Sequence, residues 1–496
     1  MPIYETDLLT GPDMEGEIGY QLYNGLDCGV TYEVWEALRS LTNKDPITYD
    51  FERALQAPAL EMMLRGFRID QSARVEGIHF LKKEIDFLDK ILQRYAFAVW
   101  AKPLNPRSPK QLIDFFYGAL KLPEQWTSMK GQRKLSTNRE SLEKLELYFY
   151  ARPIIATILA IRDSGKRLSV LETDIDSDGR MRTSYNIAGT ETGRWSSSAN
   201  STGGGTNLQN IQPSLRKIFV ADPGYKLVGI DLEQAESREV AWLCGTLFSD
   251  WSYLDACTGG DLHTTTCKLI WDQLPWTGDG KKDKELAEQP FYRHYSYRDM
   301  SKRGGHGSNY YGTPFTMARH LKVPTKFMED FQIRYFAAFP GIPRWHKYVA
   351  KELQTKQKLT SAFGRERHFF GRPNDETTLR EAIAYCPQSA TGDRMNLGLW
   401  KIWHHMKEVE LLAQVHDAVY FQFKEGLDEK AIIEKALSLI EISTTDPASG
   451  RSYMVPGEAK SGWNWGNYHP DTNPNGLKKF KNLDERKRLS ALERLF

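Results

Sequence analysis

The sequence has 496 residues, of which 40% are hydrophobic and 26% are charged, and its formal net charge is +2. At ~150 residues per domain this length predicts about three domains or lobes, and the composition predicts a packed core instead of global disorder. The N-terminus shows no basic start followed by an apolar run, and no apolar stretch approaches the ~20 residues that span a bilayer. We therefore expect a cytoplasmic protein without a membrane segment. The five cysteines form no Cys-x-x-Cys pair, which disfavours a zinc site.

The first part of the sequence shows mainly helical patterns. A leader over residues 1–50 contains one predicted helix, Asp27–Leu41. Residues 51–180 then carry apolar side chains at a spacing near 3.6, as in Ala54–Met63 and Phe80–Phe97. This part of the chain is therefore predicted to be helical.

Strand patterns begin further along the chain. Arg182–Ala188 alternates like a strand, and Tyr225–Asp231 is an apolar strand that ends in an acidic residue. Residues 246–375 and 380–405 read as helical, and two strands then follow in a tight hairpin whose turn is His416-Asp417. The hairpin strands are Leu411–Val415 and Ala418–Phe423.

Two aspartates, Asp231 and Asp417, therefore stand at the ends of apolar strands. An ionised carboxylate in such a place is costly unless it is paired or binds a cation. Two of them on adjacent strands could hold two Mg²⁺ ions ~3.5–4 Å apart, an arrangement that serves phosphoryl transfer. For either aspartate alone, a simple turn-capping role is the alternative.

Cationic and aromatic side chains recur every four residues at Arg298, Lys302, His306 and Tyr310. On a helix each such step drifts by only ~40°, so the four lie in one gently winding stripe. Arg and Lys suit a triphosphate, and we expect the glycines at 304, 305 and 307 to allow a flat group to approach. A glycine-rich loop with scattered charge is the alternative.

Six segments, taken together and in this order, resemble family A (DNA polymerase I-like) DNA polymerases from about residue 50 to 465. Each segment alone is a weak signal, but the ordered set is specific. The segments are Thr192-Gly-Arg194 with Asn207-Leu-Gln-Asn210, Asp231-Leu-Glu-Gln-Ala-Glu-Ser-Arg238, Asp261-Leu-His263, Arg298–Gly312, Arg380 with Gln388, and Gln414-Val-His-Asp-Ala418.

The resemblance implies an α+β fold in the form of a right hand, with a helical thumb, an antiparallel-sheet palm and helical fingers. It also implies template-directed DNA synthesis from dNTPs on a primer-template, with two Mg²⁺ ions for which Mn²⁺ could substitute. The segments predicted on this basis are an exonuclease-remnant leader (1–50), the thumb (51–180), the palm (181–245 and 380–465), the fingers (246–379) and a charged C-terminal tail (466–496).

Individual roles follow from the resemblance. Asp231 and Asp417 would bind the metals, while Arg298 and Lys302 would hold the triphosphate, with Lys302 as a candidate general acid. The remaining residues of the predicted nucleotide site are His263 at a phosphate oxygen, Glu236 as a steric gate against the 2′-hydroxyl, His306 beside the sugar and Tyr310 near the templating base. The predicted DNA contacts are Arg194, Asn207, Gln209, Arg380, Gln388 and His416.

The sequence departs from the family pattern at several positions. His306 stands where Phe or Tyr is usual, and Ala418 replaces a glutamate, so one auxiliary carboxylate is missing. Glu233 replaces a serine, and the segment between His263 and Arg298 is longer than usual.

The N-terminal segment Tyr23-Asn-Gly-Leu-Asp27 resembles the last motif of a 3′–5′ proofreading exonuclease. The 22 residues before it leave no room for the earlier acidic motifs of that domain, so we expect no proofreading by this chain alone. Either a separate exonuclease polypeptide uses Asp27, or the segment is a vestige whose helix packs on the thumb or palm.

The C-terminal segment 489–496 has the apolar spacing of sliding-clamp binding peptides but lacks their usual leading Gln. A clamp contact or an amphipathic helix that folds back on the body would both explain this spacing.

Two other functions fit part of the pattern. A single-subunit RNA polymerase shares the Arg-x3-Lys spacing and the His-Asp hairpin, but Glu236 argues against it because such enzymes leave room for the 2′-hydroxyl. A non-catalytic primer-template binding protein is the second alternative, and the intact Asp231, Asp417, Arg298 and Lys302 argue against it.

Overall fold

The computed structural model describes residues 17–42, 46–129, 132–199 and 204–480. The predicted clamp-binding or folded-back segment at 489–496 lies outside the described residues. Within the described ranges, no helix combines the length and the apolar character that a membrane crossing requires.

The first part of the chain is built mainly from helices, and the helices predicted there all lie within observed ones. The Asp70 carboxylate begins a 30-residue helix by accepting a hydrogen bond from Ala73 N at 3.0 Å, and Ala101 ends it in the left-handed conformation with φ 55°. The helices are α1 (Glu17–Thr42), α2 (Pro46–Arg65), α3 (Gln71–Trp100), α4 (Pro109–Ile113), a π-helical turn (Asp114–Ala119), α5 (Arg139–Leu145) and α6 (Arg152–Leu171).

Helix α1 exposes most of the side chains that the structure describes on it. Its side chains from residue 21 to 40 are exposed, with Leu26 alone partly buried. The alternative in which this helix packs on the thumb or palm is therefore wrong for these side chains. A helix packed on the body would bury its apolar residues, whereas Tyr23, Val30, Val34 and Leu38 are all exposed.

Short strands accompany these helices, and the strand predicted over Arg182–Ala188 is shorter than expected. Only Ser184–Asn186 pairs, because the Asn186 side chain accepts a hydrogen bond from Ala188 N at 3.1 Å and so forms a turn that ends the strand. The strands are β1 (Phe67–Ile69), β2 (Trp126–Met129), β3 (Gln132–Leu135), β4 (Arg180–Met181), β5 (Ser184–Asn186) and β6 (Ser196–Ser198).

A long helical excursion separates strand β8 (Tyr225–Leu232) from the other strands of its sheet, whereas β7 (Phe219–Val220) pairs with β1. Short 3₁₀ turns at Leu208–Asn210 and Pro213–Ile218 lead into these strands. The elements are β7 (Phe219–Val220), β8 (Tyr225–Leu232), α7 (Ala235–Phe248), α8 (Ser252–Thr258), α9 (Leu262–Ile270), α10 (Gly280–Ala287), β9 (Pro290–Tyr292), β10 (Tyr295–Ser296), α11 (Tyr297–Asn309), α12 (Pro314–Leu321), α13 (Thr325–Ala338), α14 (Gly341–Thr355), β11 (Lys358–Thr360) and β12 (Glu366–His368).

The chain then returns to complete a five-stranded antiparallel sheet in the order β13-β14-β8-β17-β18. The predicted hairpin is present with its turn at His416-Asp417. The remaining elements are α15 (Glu376–His405), β13 (Val409–Val415), β14 (Ala418–Lys424), α16 (Glu429–Ile440), β15 (Ser443–Thr445), β16 (Ser452–Met454), β17 (Gly457–Gly462) and β18 (Lys478–Lys479).

The sheet is buried on both faces. Val228 and Ile230 of β8 join the largest apolar cluster, which includes helices α7 and α15, while Leu227 joins a second cluster on the opposite face. Successive side chains of a strand point to opposite faces, so Asp231 lies on the face of Leu227, at the end of the strand.

Candidate active site

Asp231 and Asp417, which the sequence predicted to meet at neighbouring strand ends, do so. Asp231 of β8 pairs directly with Ala418, the first residue of β14. Asp417 precedes Ala418 in the hairpin turn, and its carbonyl oxygen accepts a hydrogen bond from Leu232 N at 2.9 Å. Among the described residues no group of three or more His, Cys, Asp or Glu side chains forms a metal-binding cluster.

Both carboxylates bind protons more readily than isolated aspartates. The Asp231 side chain is open to water on one side, but the protein encloses it elsewhere, and this burial together with the charge of Asp417 raises its pKa to about 6. Burial also raises the pKa of Asp417, and the positive charge of Arg194 opposes that rise. Two carboxylates that repel each other in this way are stabilised by a cation between them.

A cavity of about 310 Å³ lies beside the two aspartates and collects side chains from several elements. Its lining includes Glu236 of α7, His263 of α9, Lys302 and His306 of α11, and Asp417. These are residues that the sequence predicted to contact the incoming nucleotide or the metals. The structure therefore brings most of the predicted nucleotide site together in one space.

Asp231 lines a second, neighbouring cavity of about 260 Å³ on the other side of the hairpin turn. His416 and Asp417 line it as well, so Asp417 borders both cavities. His416 adopts the left-handed conformation with φ 54°, which allows the chain to turn between β13 and β14.

Helix α11 carries the predicted stripe of Arg298, Lys302 and His306, and Tyr310 follows as its C-terminal cap. The helix begins at a capping box in which Ser296 and Asp299 satisfy each other's backbone N–H groups. A helix is therefore correct here, and the alternative of a glycine-rich loop is wrong.

The role predicted for the glycines of this helix needs correction. A Cβ on Gly304 would meet the Phe331 ring at 2.5 Å, and a Cβ on Gly307 would meet Met317 Sδ at 3.0 Å. These two glycines therefore allow α11 to pack closely on α12 and α13, instead of admitting a flat ligand. Only Gly305 lines the first cavity.

Glu236 is the centre of a polar network that joins three elements. Arg194 Nη2 donates to Glu236 Oε1, and the Tyr310 hydroxyl donates to Glu236 Oε2. Arg194 Nη2 also lies 3.7 Å from Asp417 Oδ1. Burial and the neighbouring Glu236 charge raise the pKa of Tyr310 well above its ordinary value, so its hydroxyl keeps its proton at neutral pH.

His263 lines the first cavity, and Arg298 lies near His263 but outside the cavity lining. Burial lowers the pKa of His263 to about 4, although the charge of Asp261 opposes the shift. His263 is therefore a neutral imidazole at pH 7. The Arg298 guanidinium forms a two-point ion pair with Asp261 and does not line the cavity.

The predicted DNA contacts divide into two groups. Gln209 Nε2 donates to Gln414 Oε1 at 2.9 Å, and Gln414 Nε2 donates to the His416 carbonyl, so these residues lie next to the hairpin turn. Asn207, just before Gln209, has a buried Oδ1 without a hydrogen-bond partner in the described structure.

Arg380 and Gln388 lie on α15 and do not line either cavity beside the aspartates. In the described structure Arg380 Nη2 donates to Glu376 Oε1 at 2.6 Å, one helical turn earlier. The structure therefore does not bring these two residues into the nucleotide site.

Sequence reasoning missed the acidic residue on the other flank of Asp231. Glu458 of β17 pairs directly with Asp231 in the sheet, and its carboxylate binds Lys460 at 2.9 Å and Lys479 at 2.7 Å. Alternation of Glu458 and Lys460 along one strand was the available signal. It could not show which strand β17 would join.

Comparisons with known proteins agree with this architecture. The solved structure of the POL domain of Pol1 from M. smegmatis, in complex with DNA primer-template and dNTP, superposes with a TM-score of 0.67 at 23% sequence identity, covering 83% of this chain and 69% of that one. This likeness confirms the predicted α+β right-hand fold.

Sequence relatives point in the same direction. DNA polymerase I of Chloroflexus aurantiacus is 27% identical over 439 residues, which cover 82% of this chain and 43% of the relative. The thermostable DNA polymerase I of Thermus filiformis is 29% identical over 431 residues, covering 82% and 48% respectively. The chain thus spans about half the length of these curated relatives. Residues 78–465 match the sequence profile of DNA polymerase family A, so the chain belongs to that family.

Proposed function

We propose that the chain is a DNA-directed DNA polymerase that adds dNTPs to a primer 3′-hydroxyl by a two-metal mechanism. The observation that carries this proposal is the meeting of Asp231 and Asp417 at adjacent strand ends, beside a cavity lined by Lys302, His263 and Glu236. Phosphoryl transfer requires mainly positioning and neutralisation of charge, and this set of side chains can supply both.

The donor set fits magnesium. Asp231 and Asp417 offer carboxylate oxygens, the ligands that Mg²⁺ prefers. Burial and the charge of Asp417 raise the pKa of Asp231, so a cation would stabilise the ionised pair. When bound, two Mg²⁺ ions, or Mn²⁺ as a substitute, would activate the primer hydroxyl and stabilise the leaving oxygen. Asp231 and Asp417 would hold them, with substrate phosphates and water completing the coordination.

Lys302 and His263 would bind the triphosphate in the first cavity. Lys302 lines this cavity and its side chain is exposed, so its charge is available to a phosphate. Lys302 would also donate a proton to the leaving pyrophosphate. Neutral His263 can donate one N–H to a phosphate oxygen without the cost of a buried imidazolium.

Glu236 would exclude ribonucleotides. Its carboxylate is fixed from two sides by Arg194 and Tyr310 and lines the cavity, so it can occupy the space that a 2′-hydroxyl needs. His306 would lie beside the sugar. The centre of its imidazole ring lies 4.8 Å from the centre of the Tyr310 ring. This arrangement favours a DNA polymerase over a single-subunit RNA polymerase.

Primer-template DNA would pass along the hairpin side of the site. Gln209, His416 and Arg194 lie closest to the aspartates, while Asn207, Arg380 and Gln388 would contact the duplex further away. Side chains of this kind can read minor-groove acceptors that correct base pairs share.

Primer extension tests the proposal directly. The wild-type chain should extend a primer with dNTPs and Mg²⁺, should fail with EDTA, and should discriminate strongly against rNTPs. Asp231→Ala should abolish extension while DNA binding persists, and Glu236→Ala should raise rNTP incorporation. Binding of primer-template by a wild-type chain that cannot extend it would favour the non-catalytic alternative, and efficient use of rNTPs would favour an RNA polymerase.

We also propose that the chain does not proofread by itself, and that exposed helix α1 presents Asp27 to a separate exonuclease polypeptide. Tyr23, Val30, Val34 and Leu38 form an exposed apolar stripe along α1, and helical spacing places Asp27 within it. Such a stripe suits a protein partner. Incubation with a 3′-mismatched primer should leave the mismatch in place, and rapid removal by the purified chain would contradict this.

A sliding clamp contacted through residues 489–496, and a location in the cytoplasm of a bacterium or a phage-infected host, stay predictions. Deletion of residues 489–496 tests the clamp contact. Processivity unchanged by the deletion, with and without a clamp, would contradict it.

A further inference from the structure

Asp261 binds the two helices on the far side of the nucleotide cavity to each other. As the N-cap of α9, its Oδ2 accepts hydrogen bonds from Thr264 N at 2.9 Å and from Thr264 Oγ1 at 2.6 Å. The same carboxylate accepts two hydrogen bonds from Arg298. Nε donates to Oδ2 at 2.9 Å, and Nη2 donates to Oδ1 at 2.7 Å. One side chain therefore fixes α9, which carries His263, against the first turn of α11.

The geometry leaves part of the guanidinium free. Arginine has five N–H donors in a planar fork, and the two-point contact with Asp261 occupies only two of them. The nearest other carboxylate is Glu288, whose Oε1 lies 3.8 Å from Nη1. The remaining donors of Arg298 keep a direction set by Asp261 and can bind a second anion.

The pair is partly withdrawn from solvent, with 20% of the Asp261 side chain and 23% of the Arg298 side chain exposed. Burial opposes ionisation of Asp261, but hydrogen bonds from Arg298 and Thr264 outweigh it and hold the pKa of this carboxyl below its ordinary value. Asp261 therefore stays charged at every pH at which a polymerase would be assayed.

We propose that Asp261 is a positioning residue for the incoming nucleotide, which orients Arg298 and the α9 end that carries His263 toward the triphosphate. This inference rests on the proposed function of the cavity. Because the partly buried Asp261 carboxylate already holds the Arg298 side chain in one orientation, Arg298 would lose less conformational entropy on binding a phosphate. A partner of this kind acts through Arg298 and does not touch the substrate.

Asp261 could instead compete with the triphosphate for Arg298. If Asp261 occupies the phosphate-binding edge of Arg298, it competes with the triphosphate, and its removal would tighten nucleotide binding. Positioning and competition therefore predict KM changes of opposite sign.

Asp261→Asn separates positioning from helix capping. Asparagine caps helices about as well as aspartate, so the bond to Thr264 N is retained, but its amide cannot accept both Arg298 donors and carries no charge. Asp261→Ser, which also keeps a capping oxygen, is a second variant in case the amide folds poorly. The matched control is Asp428→Asn, since Asp428 caps α16 by accepting Ala431 N at 3.1 Å and lies outside the two cavities beside the aspartates.

Single-nucleotide primer extension gives the decisive measurement. We expect Asp261→Asn to raise the KM for dNTP by roughly 10-fold, as loss of a supporting partner does at other sites, with the Kd for primer-template unchanged. In an Arg298→Ala background, Asp261→Asn should add no further loss. Thermal unfolding of the variants checks that the fold is intact.

The outcomes separate this inference from the proposed function. A wild-type chain that cannot extend a primer would overturn the function itself. A wild-type chain that extends, with Asp261→Asn indistinguishable from Asp428→Asn, would overturn the inference alone. A lower KM in Asp261→Asn would replace positioning with competition, and an equal loss in the Arg298→Ala background would mean that Asp261 does not act through Arg298.

Discussion

The ionised side chain of Asp231 destabilises the folded protein. Its pKa is raised from 3.8 to about 6 by burial and by Asp417, which means that its charged form is less favourable in the folded chain than in the unfolded one. Below about pH 4 the carboxyl is protonated in both the folded and the unfolded chain, so it does not destabilise the fold. Above about pH 6 it is ionised in both, and the full destabilisation is present.

We therefore predict that Asp231→Asn stabilises the metal-free protein at pH 7.5. The gain should be on the order of 1 kcal/mol, after allowance for the solvent that reaches the carboxylate, and should disappear near pH 4. Thermal unfolding in EDTA at the two pH values measures it. Added Mg²⁺ should raise the Tm of the wild type and leave the variant almost unchanged; a variant less stable than the wild type at pH 7.5 would contradict the account.

Arg394, in contrast to Asp231, is a buried charged residue whose contacts stabilise the fold. It is fully buried, and it donates to Glu239 Oε1 at 3.0 Å, to the Ile442 carbonyl at 2.6 Å and to the Tyr453 hydroxyl at 2.7 Å. Its removal leaves a buried carboxylate without its cation. These contacts join α15 to α7, to Ile442 just after α16, and to Tyr453 of β16.

We expect Arg394→Ala to lower the free energy of unfolding by about 3–5 kcal/mol. The control is Arg451→Ala, which breaks an exposed ion pair with Asp255 and should change the free energy of unfolding by ~1 kcal/mol or less. Urea unfolding of both variants compares them. Equal losses would show that burial does not determine the effect.

Part of the site could be predicted residue by residue. Asp231 and Asp417 each follow an apolar strand, and that local pattern carries the prediction. The segment of Asp261 was recognised, but its contact with Arg298 was not, and neither was the position of Glu458 beside Asp231, because the first contact joins two helices and the second joins distant strands. Such contacts exist only after folding.

At the scale of elements, the close packing of α11 on α13 positions the side chains of Lys302 and His306. Gly304 lies against the Phe331 ring of α13, with no room for a methyl group. Because Gly304 has no side chain, the helix that carries Lys302 and His306 can pack closely against α13.

Gly304→Ala should push α11 away from α13 and cost about 1–3 kcal/mol of stability, with a parallel loss of dNTP affinity. Gly25→Ala in exposed α1 is the matched control, because a Cβ there meets nothing within 4 Å. That variant should be neutral or should stabilise its helix by ~1 kcal/mol. Unfolding curves and the KM for dNTP test both, and a Gly304→Ala variant with wild-type values would refute the packing argument.

The elements themselves were predictable where their pattern was long. Helices α3 and α15 contain the predicted segments, and the hairpin of β13 and β14 has its predicted turn. The strand predicted over Arg182–Ala188 shrank because the Asn186 side chain forms a local turn that alternation cannot reveal. The packing role of Gly304 and Gly307 was missed for a similar reason, since glycine has no side chain to mark its neighbour.

At the scale of the whole molecule, ion pairs connect the predicted thumb with the predicted fingers. Arg319 Nη2 lies 3.4 Å from Glu140 Oε1, and Lys322 Nζ lies 2.9 Å from Glu146 Oε2, at the edge of a cavity of about 820 Å³ between α5 and α12. These side chains are partly exposed, so salt should weaken the contact.

We predict that the double variant Glu140→Lys and Glu146→Lys separates α5 from α12. Each pair contributes only ~0.2–1 kcal/mol, so the change should appear as a shift in the distance distribution and should leave the fold intact. Fluorescence energy transfer between labels on the two helices measures it, and the wild type should approach the variant at 1 M salt. Charge reversal at Arg319 and Lys322 in the same protein should restore the short distance; no restoration would argue against direct pairing.

The sheet order could not have been predicted from local patterns. Strand β8 precedes its partners β14 and β17 in the chain, and the helices α7 to α15 intervene. The resemblance to a known family supplied the right-hand fold, while periodicity alone gave only a list of helices and strands.

This order has a consequence for synthesis on the ribosome. Strand β8 is made well before its two partner strands, which comprise residues 418–424 and 457–462. An apolar strand with two open edges is a template for intermolecular aggregation. The nascent chain must therefore shield this strand until both partner strands have been made. Rare-codon pauses placed between residues 232 and 418 should lower the yield of native protein more than pauses placed after residue 462.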